Sequence, residues 1–274
     1  MKYRLKKVAV LGSGVMGSGI ACHLANIGLE VLMLDIIPRD LEGDKLKDPI
    51  LRNSIVNSAL QNSIRSKPAP LYHKSFASRI STGNFEDDFE KISDADWIIE
   101  VVVERLDIKQ QIFEKVDNHR KNNSLVTSNT SSIPMHLLSR GRSDNFKTHF
   151  CGTHFFNPPR YLRLLEVIPT SDTLKSVINF FMEFGKVNLG KETVLCKDTP
   201  AFIGNRIGVM SATEMTILTK KNSFTVEEVD LLTGSIIGRP PTATYRLQDL
   251  VGLDTGDNVS RFVMDNVEND TYIN

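Results

Sequence analysis

The feature of this sequence that most constrains its fold is a glycine-rich turn, GSGVMG, between an apolar run and a helical pattern. The apolar run, KVAVL at residues 7–11, predicts a buried strand, and residues 12–28 predict the turn and a helix that ends at Gly28. A second strand is predicted at residues 30–35, and its last residue is Asp35. Strand, turn, helix and strand, joined by a right-handed crossover, predict one βαβ unit of about 30 residues.

The residues of this turn are those that a dinucleotide-binding loop requires. Gly12 permits the tight turn, Gly14 lets the backbone approach a pyrophosphate, and Gly17 lets the helix pack closely on the strand. Val15 and Met16 complete the loop at the amino end of the helix, where N–H groups and the helix dipole attract phosphates. The alternative is a glycine turn that only packs a helix on a sheet. The strand before the turn and the helix after it favour nucleotide binding.

Asp35 bears on which nucleotide would bind. It follows Gly17 at about the spacing of the dinucleotide fingerprint, which is about 20 residues. A carboxylate at this position accepts hydrogen bonds from the adenosine ribose hydroxyls and repels a 2′-phosphate. The pattern therefore predicts NAD rather than NADP. The alternative for Asp35 is a solvated acid at the end of a strand.

The composition narrows the function classes. Of 274 residues, 41% are hydrophobic and 24% are charged, and 33 basic residues balance 33 acidic ones. No basic face for nucleic acid or for an anionic membrane is therefore predicted. Three scattered cysteines lack metal-ligand spacing and suit a reducing compartment, and no run is long enough for a signal peptide or a membrane span. We expect a cytoplasmic protein without a metal site.

Two domains are expected. Predicted strands alternate with helical patterns as far as residue 196, which is typical of a Rossmann-like, doubly wound α/β domain with a mainly parallel sheet. From residue 197 onward only helical patterns occur, and one opens with the capping box TVEE at residues 225–228. We therefore predict a nucleotide-binding domain at residues 1–196 and a smaller all-α domain at residues 197–274.

Polar residues follow several predicted strands at their carboxyl ends, where the ligands of doubly wound sheets bind. Glu104 ends the strand predicted at residues 96–104, and Lys109 lies in the first turn of the helix that follows. The cluster SNTSS at residues 128–132 and Asn157 follow two later strands. Each alone is typical of a helix cap or a turn. Together they are predicted to line one edge of the sheet, beside nicotinamide and substrate.

The segment THFFNPPRYLRLLEVI places two titratable residues on neighbouring predicted strands. Pro158 and Pro159 lack amide donors, so they end the first strand and form a corner before the second. If the two strands are antiparallel neighbours, His154 and Glu166 can meet across the pair. A carboxylate against one ring nitrogen fixes the tautomer of a histidine and stabilises its imidazolium, and the other nitrogen can exchange a proton with a substrate.

Such a pair supplies the chemistry of an alcohol dehydrogenase that has no metal. A base removes the hydroxyl proton while hydride leaves the same carbon for nicotinamide. Among six histidines, His154 alone falls in a predicted strand that ends at this edge and has an acid on the next strand. A His–Glu pair that only joins two strands is the alternative that this segment leaves open.

Six segments, in chain order, resemble successive motifs of the NAD-dependent 3-hydroxyacyl-CoA dehydrogenases. They are GSGVMGSGIA, EVVVERLDIK, SNTSSIP, GTHFFNPPRYLRLLEVIP, KDTPAFIGNRIG and GRPPTATYRLQDLVGLDT. The resemblance covers residues 6 to about 256, and it is greatest to the dehydrogenase portion of long bacterial fatty-acid oxidation proteins that continue into an enoyl-CoA hydratase region. It implies reversible oxidation of a (3S)-3-hydroxyacyl-CoA to the 3-oxoacyl-CoA by NAD, in fatty-acid β-oxidation.

The resemblance also implies roles for single residues. In it, His154 is the general base and Glu166 is its partner. Ser131 bonds the 3-oxygen of the substrate, and Asn205 completes the catalytic cluster from the helical domain. The contacts that it implies with nicotinamide and the ribose are made by Glu104, Lys109, Ser131, Asn157 and Asp35.

Two parts of the chain depart from the family pattern. Residues 53–75 do not follow the family's CoA-binding helices; Lys67 and Lys74 are candidates for contacts with CoA phosphates, and solvated surface is the alternative. Family members continue through further helices, which carry another lysine near the cofactor and much of the dimer surface. The resemblance therefore implies that residues 197–274 are an incomplete helical domain, that the domain supports a homodimer, and that an enoyl-CoA hydratase region is fused or follows.

Two other functions stay open at the level of sequence. The chain could be a non-catalytic domain that binds NAD or acyl-CoA, in which case cofactor would bind without turnover. It could also be a dehydrogenase of another 3-hydroxy acid, which would keep the His–Glu pair without binding CoA. The preferred acyl-chain length is not predicted by any residue pattern.

Overall fold

A computed structural model describes residues 3–267, and its central element is one eight-stranded sheet. The strands are β1 (Lys7–Leu11), β2 (Glu30–Asp35), β3 (Ile80–Asn84), β4 (Trp97–Glu100), β5 (Leu125–Ser128), β6 (Phe150–Phe155), β7 (Leu164–Pro169) and β8 (Glu192–Leu195). Their order is β3-β2-β1-β4-β5-β6-β7-β8, and every neighbouring pair is parallel except β6 and β7. The first six strands follow the 3-2-1-4-5-6 order of doubly wound dinucleotide-binding folds. The predicted Rossmann-like, mainly parallel sheet is confirmed.

Helices cover both faces of this sheet. They are α1 (Val15–Asn26), α2 (Pro49–Arg52), α3 (Ser54–Arg65), α4 (Leu106–His119), α5 (Met135–Leu138), α6 (Asp144–Thr148) and α7 (Lys175–Val187), with short 3-10 helices at Gly43–Lys47, Lys74–Arg79 and Phe89–Asp94. On one face Trp97 of β4 packs against Phe181 of α7, with ring centroids 5.1 Å apart. On the other, Phe150 of β6 packs against Phe113 of α4 at 5.2 Å. The alternation of side chains along each strand divides the core in this way.

The strand β4 ends at Glu100, so it is shorter than the strand predicted at residues 96–104. The Glu100 carboxylate accepts a hydrogen bond from the backbone N–H of Val102, at 2.7 Å. This local bond takes an amide that would otherwise be available to a sheet ladder, and the chain leaves the sheet at that point. Glu100, rather than Glu104, is therefore the acid at the end of this strand.

The antiparallel pair β6 and β7 fixes the register of the segment that carries the histidine. His154 lies directly opposite Glu166, and Thr153 opposite Val167. The corner at residues 157–162 joins the two strands, and Pro158 and Pro159 cannot extend either strand because they lack amide donors. The meeting of His154 with Glu166 that the sequence predicted is present in the structure.

The chain divides into two compact units, Met1–Asp198 and Thr199–Asn274. This division lies two residues after the predicted boundary between residues 196 and 197. Within the second unit the elements are α8 (Gly204–Asn222), α9 (Val226–Thr233), a 3-10 helix (Ser235–Ile237), α10 (Tyr245–Val251) and α11 (Leu253–Asn266). The predicted capping box is present, since Thr225 and Glu228 each accept a hydrogen bond from the other's backbone N–H.

A small apolar core holds the helices of the second unit together. Ala201, Val209 and Val263 are buried in it, and the carboxylate of Asp230 accepts hydrogen bonds from three backbone N–H groups at the start of α10. The last part of the helical domain predicted at residues 197–274, residues 268–274, lies outside the described residues. Within residues 3–267, no helix has the length and apolar character needed to cross a membrane.

Candidate active site

The glycine turn between β1 and α1 has the shape that a dinucleotide requires. A Cβ atom on Gly12, whose φ is +106°, would lie 2.6 Å from the carbonyl oxygen of Val101, and one on Gly17 would lie 1.9 Å from the carbonyl oxygen of Gly12. Neither glycine can therefore be replaced without moving backbone. At Gly14, by contrast, no described atom lies within 4 Å of the Cβ position. This open space beside the turn is where a pyrophosphate would approach the backbone.

The amino end of α1 and Asp35 meet at this turn. Asp35 accepts hydrogen bonds from both the backbone N–H and the hydroxyl of Ser13, at 2.6 and 2.5 Å. No described side chain caps the helix at Gly14, and the first turn of α1 contains no acidic residue, so the N–H groups and the dipole of this end suit a phosphate. The open cradle, the helix end and the carboxylate on the neighbouring strand fit an adenine dinucleotide.

A buried ion pair lies at the carboxyl ends of β4 and β5. The ammonium of Lys109, from α4, lies 2.7 Å from one carboxylate oxygen of Glu100, and the hydroxyl of Ser128 donates to the other at 2.5 Å. The Lys109 side chain is 1% exposed and that of Glu100 is fully buried. Because Glu100 and Ser128 are register partners in the parallel pair β4 and β5, the sheet itself brings them together.

Glu104 extends this ion pair toward solvent. The Glu104 side chain is 39% exposed, and its carboxylate lies 3.2 Å from the Lys109 ammonium. It accepts hydrogen bonds from the hydroxyl of Thr130, from the backbone N–H of Ser131 at 3.0 Å, and from the hydroxyl of Ser132 at 3.0 Å. Residues 130–132 of the predicted polar cluster are therefore held by one acid.

The charges of this network control the protonation of its members. Burial by itself lowers the pKa of Lys109, but the attraction of Glu100 and Glu104 outweighs it, so the pKa of Lys109 is raised. Burial likewise raises the pKa of Glu104, but the charge of Lys109 and the hydroxyl of Thr130 outweigh it, so this pKa is lowered. Lys109 and Glu104 are therefore both ionised at neutral pH, and the site carries fixed charges.

The His154–Glu166 pair lies at the carboxyl end of β6. The Nδ1 atom of His154 is 2.7 Å from Oε2 of Glu166, and the two side chains are 6% and 0% exposed. The ring of Phe156 lies against the imidazole, with centroids 4.4 Å apart. A nearby amide also holds this strand end, since the side-chain oxygen of Asn129 accepts a hydrogen bond from the backbone N–H of Phe155 at 2.9 Å. The imidazole is thereby held in one orientation, with Nδ1 directed at a carboxylate.

The other predicted site residues occupy different places. Ser131 is partly buried in the loop that Glu104 holds, and Asn157 is exposed just after β6. Asn205 is the second residue of α8, in the second unit. Lys67 and Lys74 are both exposed, as expected for solvated surface, and the candidate contacts with CoA phosphates stay predictions.

Sequence reasoning missed Glu100 and Asn129 as members of this region. Glu100 lies inside the apolar run WIIEVVV; an acid inside a strand buried on both sides needs a partner, and that need is a usable signal. Asn129 appeared only as part of a polar cluster at a strand end. Its bond to Phe155 depends on the pairing of β5 with β6, which the sequence pattern does not specify residue by residue.

Comparison with known proteins identifies the family. The sequence model described as "3-hydroxyacyl-CoA dehydrogenase, NAD binding domain" matches residues 7–199, and the one described as "3-hydroxyacyl-CoA dehydrogenase, C-terminal domain" matches residues 202–274. The chain belongs to the 3-hydroxyacyl-CoA dehydrogenase family. Its first unit is the family's NAD-binding domain, which confirms the predicted cofactor.

Individual proteins resemble the chain over nearly its whole length. A Bacillus subtilis protein named "Probable 3-hydroxyacyl-CoA dehydrogenase" is 50% identical over 98% of the chain, and a Rickettsia felis protein named "Putative fatty acid oxidation complex trifunctional enzyme" is 41% identical over 93%. The chain spans 35% and 34% of the lengths of these two relatives. The crystal structure of FadB2 from M. tuberculosis superposes with a TM-score of 0.78, at 27% identity, over 98% of this chain and 90% of that one.

Proposed function

We propose that this chain oxidises a (3S)-3-hydroxyacyl-CoA to the 3-oxoacyl-CoA, reversibly, with NAD as the oxidant. The observation that carries the proposal is the buried His154–Glu166 pair, joined at 2.7 Å at the carboxyl end of β6. A base in this position and a dinucleotide cradle on the same sheet are the two parts that such a reaction needs. Membership of the 3-hydroxyacyl-CoA dehydrogenase family supports the substrate class.

His154 acts as the general base in this proposal. Because Nδ1 is directed at Glu166, proton transfer falls to Nε2, which takes the proton of the substrate's 3-hydroxyl group. The carboxylate of Glu166 holds the tautomer and stabilises the imidazolium that forms. The glycine turn and Asp35 would hold NAD⁺, whose nicotinamide would supply the acceptor for the hydride of carbon 3. Loss of one proton and one hydride converts the alcohol to the ketone, and the reverse reaction returns the proton from His154.

Other residues orient the reactants. The family resemblance assigns the bond to the substrate's 3-oxygen to Ser131, and it assigns an amide of the catalytic cluster to Asn205. The N–H groups at the start of α1 bind the pyrophosphate. Glu104, Lys109 and Asn157 lie on the nicotinamide side; the ion pair between Lys109 and Glu100 keeps that side rigid and charged.

The experiment that tests the function is oxidation of NADH by acetoacetyl-CoA, followed by absorbance. We expect turnover with acetoacetyl-CoA but not with free acetoacetate, and in the reverse direction with (3S)- but not (3R)-3-hydroxybutyryl-CoA. NADH binding without turnover would favour a non-catalytic binding domain. Turnover of free hydroxy acids would instead indicate a dehydrogenase of another 3-hydroxy acid.

Asp35 is proposed to set the preference for NADH over NADPH. Replacing it in Asp35→Asn removes the charge that repels a 2′-phosphate but keeps a side-chain oxygen for Ser13. We expect the ratio of kcat/KM for NADH to that for NADPH to fall about tenfold, which corresponds to ~1.4 kcal/mol. The exposed Asp40, changed in Asp40→Asn, is the matched control. Equal use of both cofactors by the unaltered chain would contradict the assignment.

The assignments of pathway, partners and location are also proposals. A role in fatty-acid β-oxidation and a fused or following enoyl-CoA hydratase region are supported by the name of the Rickettsia felis relative.

A homodimer through the helical unit is supported by its exposed apolar side chains, among them Leu231, Ile236, Leu250 and Leu253. A mass of one chain in sedimentation velocity would reject the dimer. A cytoplasmic location, which the three buried cysteines suit, is tested by cell fractionation.

A further inference from the structure

Lys191 is a buried cation without a buried anion. It immediately precedes β8 and is 4% exposed. Its ammonium donates hydrogen bonds to the backbone carbonyl oxygens of Pro159 and of Leu162, the latter at 2.6 Å. Among the described residues no carboxylate lies within ion-pair distance of it. Burial lowers the pKa of this amine to about 8, so the two carbonyl oxygens are its main compensation for lost water.

Both acceptors belong to the corner that joins the strand of His154 to the strand of Glu166. We call residues 157–162 the proline corner. Within it, the backbone N–H groups of Tyr161 and Leu162 both donate to the carbonyl of Pro158 at 3.0 Å, which makes a tight turn. The ammonium of Lys191 supplies the donor for the carbonyls of Pro159 and Leu162. One side chain therefore joins the middle of the corner, at Pro159, to its last residue, Leu162.

Two further contacts fix where the proline corner lies. The ring of Pro159 lies against Gly19 of α1, because a Cβ atom on Gly19 would be 3.1 Å from two ring carbons of Pro159. The guanidinium of Arg160 donates to the backbone carbonyls of Ala69 and Leu71. The helix that begins at the glycine turn therefore contacts the corner that follows His154. A shift of the corner would change the distance between the two halves of the proposed site.

We propose that Lys191 is a positioning residue for His154, acting through the proline corner. By holding the corner against α1, it keeps the ends of β6 and β7 in place and so sets the position of the imidazole relative to the cofactor cradle. The proposal rests on the proposed dehydrogenase function. A misplacement of about 1 Å at a reacting group can cost about 100-fold in rate, so a residue that touches neither substrate nor cofactor can still affect kcat strongly.

The test is Lys191→Met, which removes the donors and keeps a long apolar side chain. We expect kcat with acetoacetyl-CoA to fall about tenfold or more, within the range for a misplaced catalytic group. The KM values for NADH and acetoacetyl-CoA should change less than about twofold, because this change removes no binding group. The matched control is Lys186→Met, at an exposed position on α7, which should leave both parameters unchanged.

A double variant separates positioning from a merely structural role. If Lys191 acts through His154, adding Lys191→Met to His154→Ala should cause little further loss of kcat, because the group it positions is already absent. A full, additive loss would overturn the proposal, as would an unaltered kcat in folded Lys191→Met. If the methionine variant does not fold, Lys191→Gln, which retains an N–H donor, replaces it in both the single and the double variant. An additive loss of kcat, or an unaltered kcat in the single variant, would again overturn the proposal. Absence of turnover in the unaltered chain would instead reject the proposed function itself.

Discussion

Replacement of His154 by alanine is expected to reduce kcat for acetoacetyl-CoA reduction by at least ~100-fold, the usual contribution of a general acid–base group. The expectation follows from the 2.7 Å contact between His154 and Glu166, which orients the imidazole for proton transfer. Binding of NADH, measured by fluorescence, should change little, since the glycine turn and Asp35 are untouched. Steady-state rates with saturating substrates provide the measurement.

Two variants make this result specific. His119→Ala, at an exposed position on α4, should retain full activity. Glu166→Gln keeps the size of the partner but removes its charge, so kcat should fall because the imidazolium loses its stabilising carboxylate. If the activity of His154→Ala lies within a few-fold of that of the unaltered chain, the His154–Glu166 pair only connects two strands. That structural role is the alternative that the sequence left open.

Replacement of Lys109 by methionine is expected to lower the free energy of unfolding by about 3–5 kcal/mol, the scale for breaking a buried ion pair by removing one partner. The Glu100 carboxylate is fully buried, so loss of the ammonium leaves a charge without its counter-ion in the interior. Glu104 and the loop at residues 130–132 should also loosen, because Glu104 contacts the same ammonium at 3.2 Å. The measurement is unfolding of the first unit in urea, followed by the fluorescence of Trp97.

The controls for this prediction lie on the same helix and in the same pair. Lys115→Met replaces an exposed lysine of α4 and should change stability by less than about 0.5 kcal/mol. The double variant Glu100→Gln with Lys109→Met removes both charges and should recover part of the lost stability, because no buried charge then stands alone. A Lys109→Met protein as stable as the unaltered chain would mean that water or another cation reaches Glu100.

Local sequence was sufficient for much of the fold. The pattern KVAVL followed by GSGVMG predicts a strand, a turn and a helix because its requirements are local: Gly12 needs a positive φ, and Gly17 must lie against backbone. The alternation of side chains likewise predicts that His154 and Glu166 can share one face of two adjacent strands, and their register in β6 and β7 agrees.

Elements that depend on competition between local and distant bonds were predicted less well. The strand expected at residues 96–104 ends at Glu100, because the Glu100 carboxylate takes the N–H of Val102. No propensity for strand or helix specifies that outcome. It depends on whether a buried acid finds enough donors, and two of those donors, Lys109 and Ser128, come from other elements.

The sequence by itself determined the order of strands and helices along the chain, the dinucleotide turn, and the presence of a histidine and a glutamate on adjacent strands, because each rests on short-range geometry or on side-chain chemistry. Only the tertiary structure decided which polar groups are buried together. Lys191 and the carbonyl of Pro159, Glu100 and Lys109, and Asn129 and Phe155 are each brought into contact by packing between separate elements. Because these contacts are buried, the fold depends on them, since an unpartnered polar group in the interior raises the free energy of the folded state.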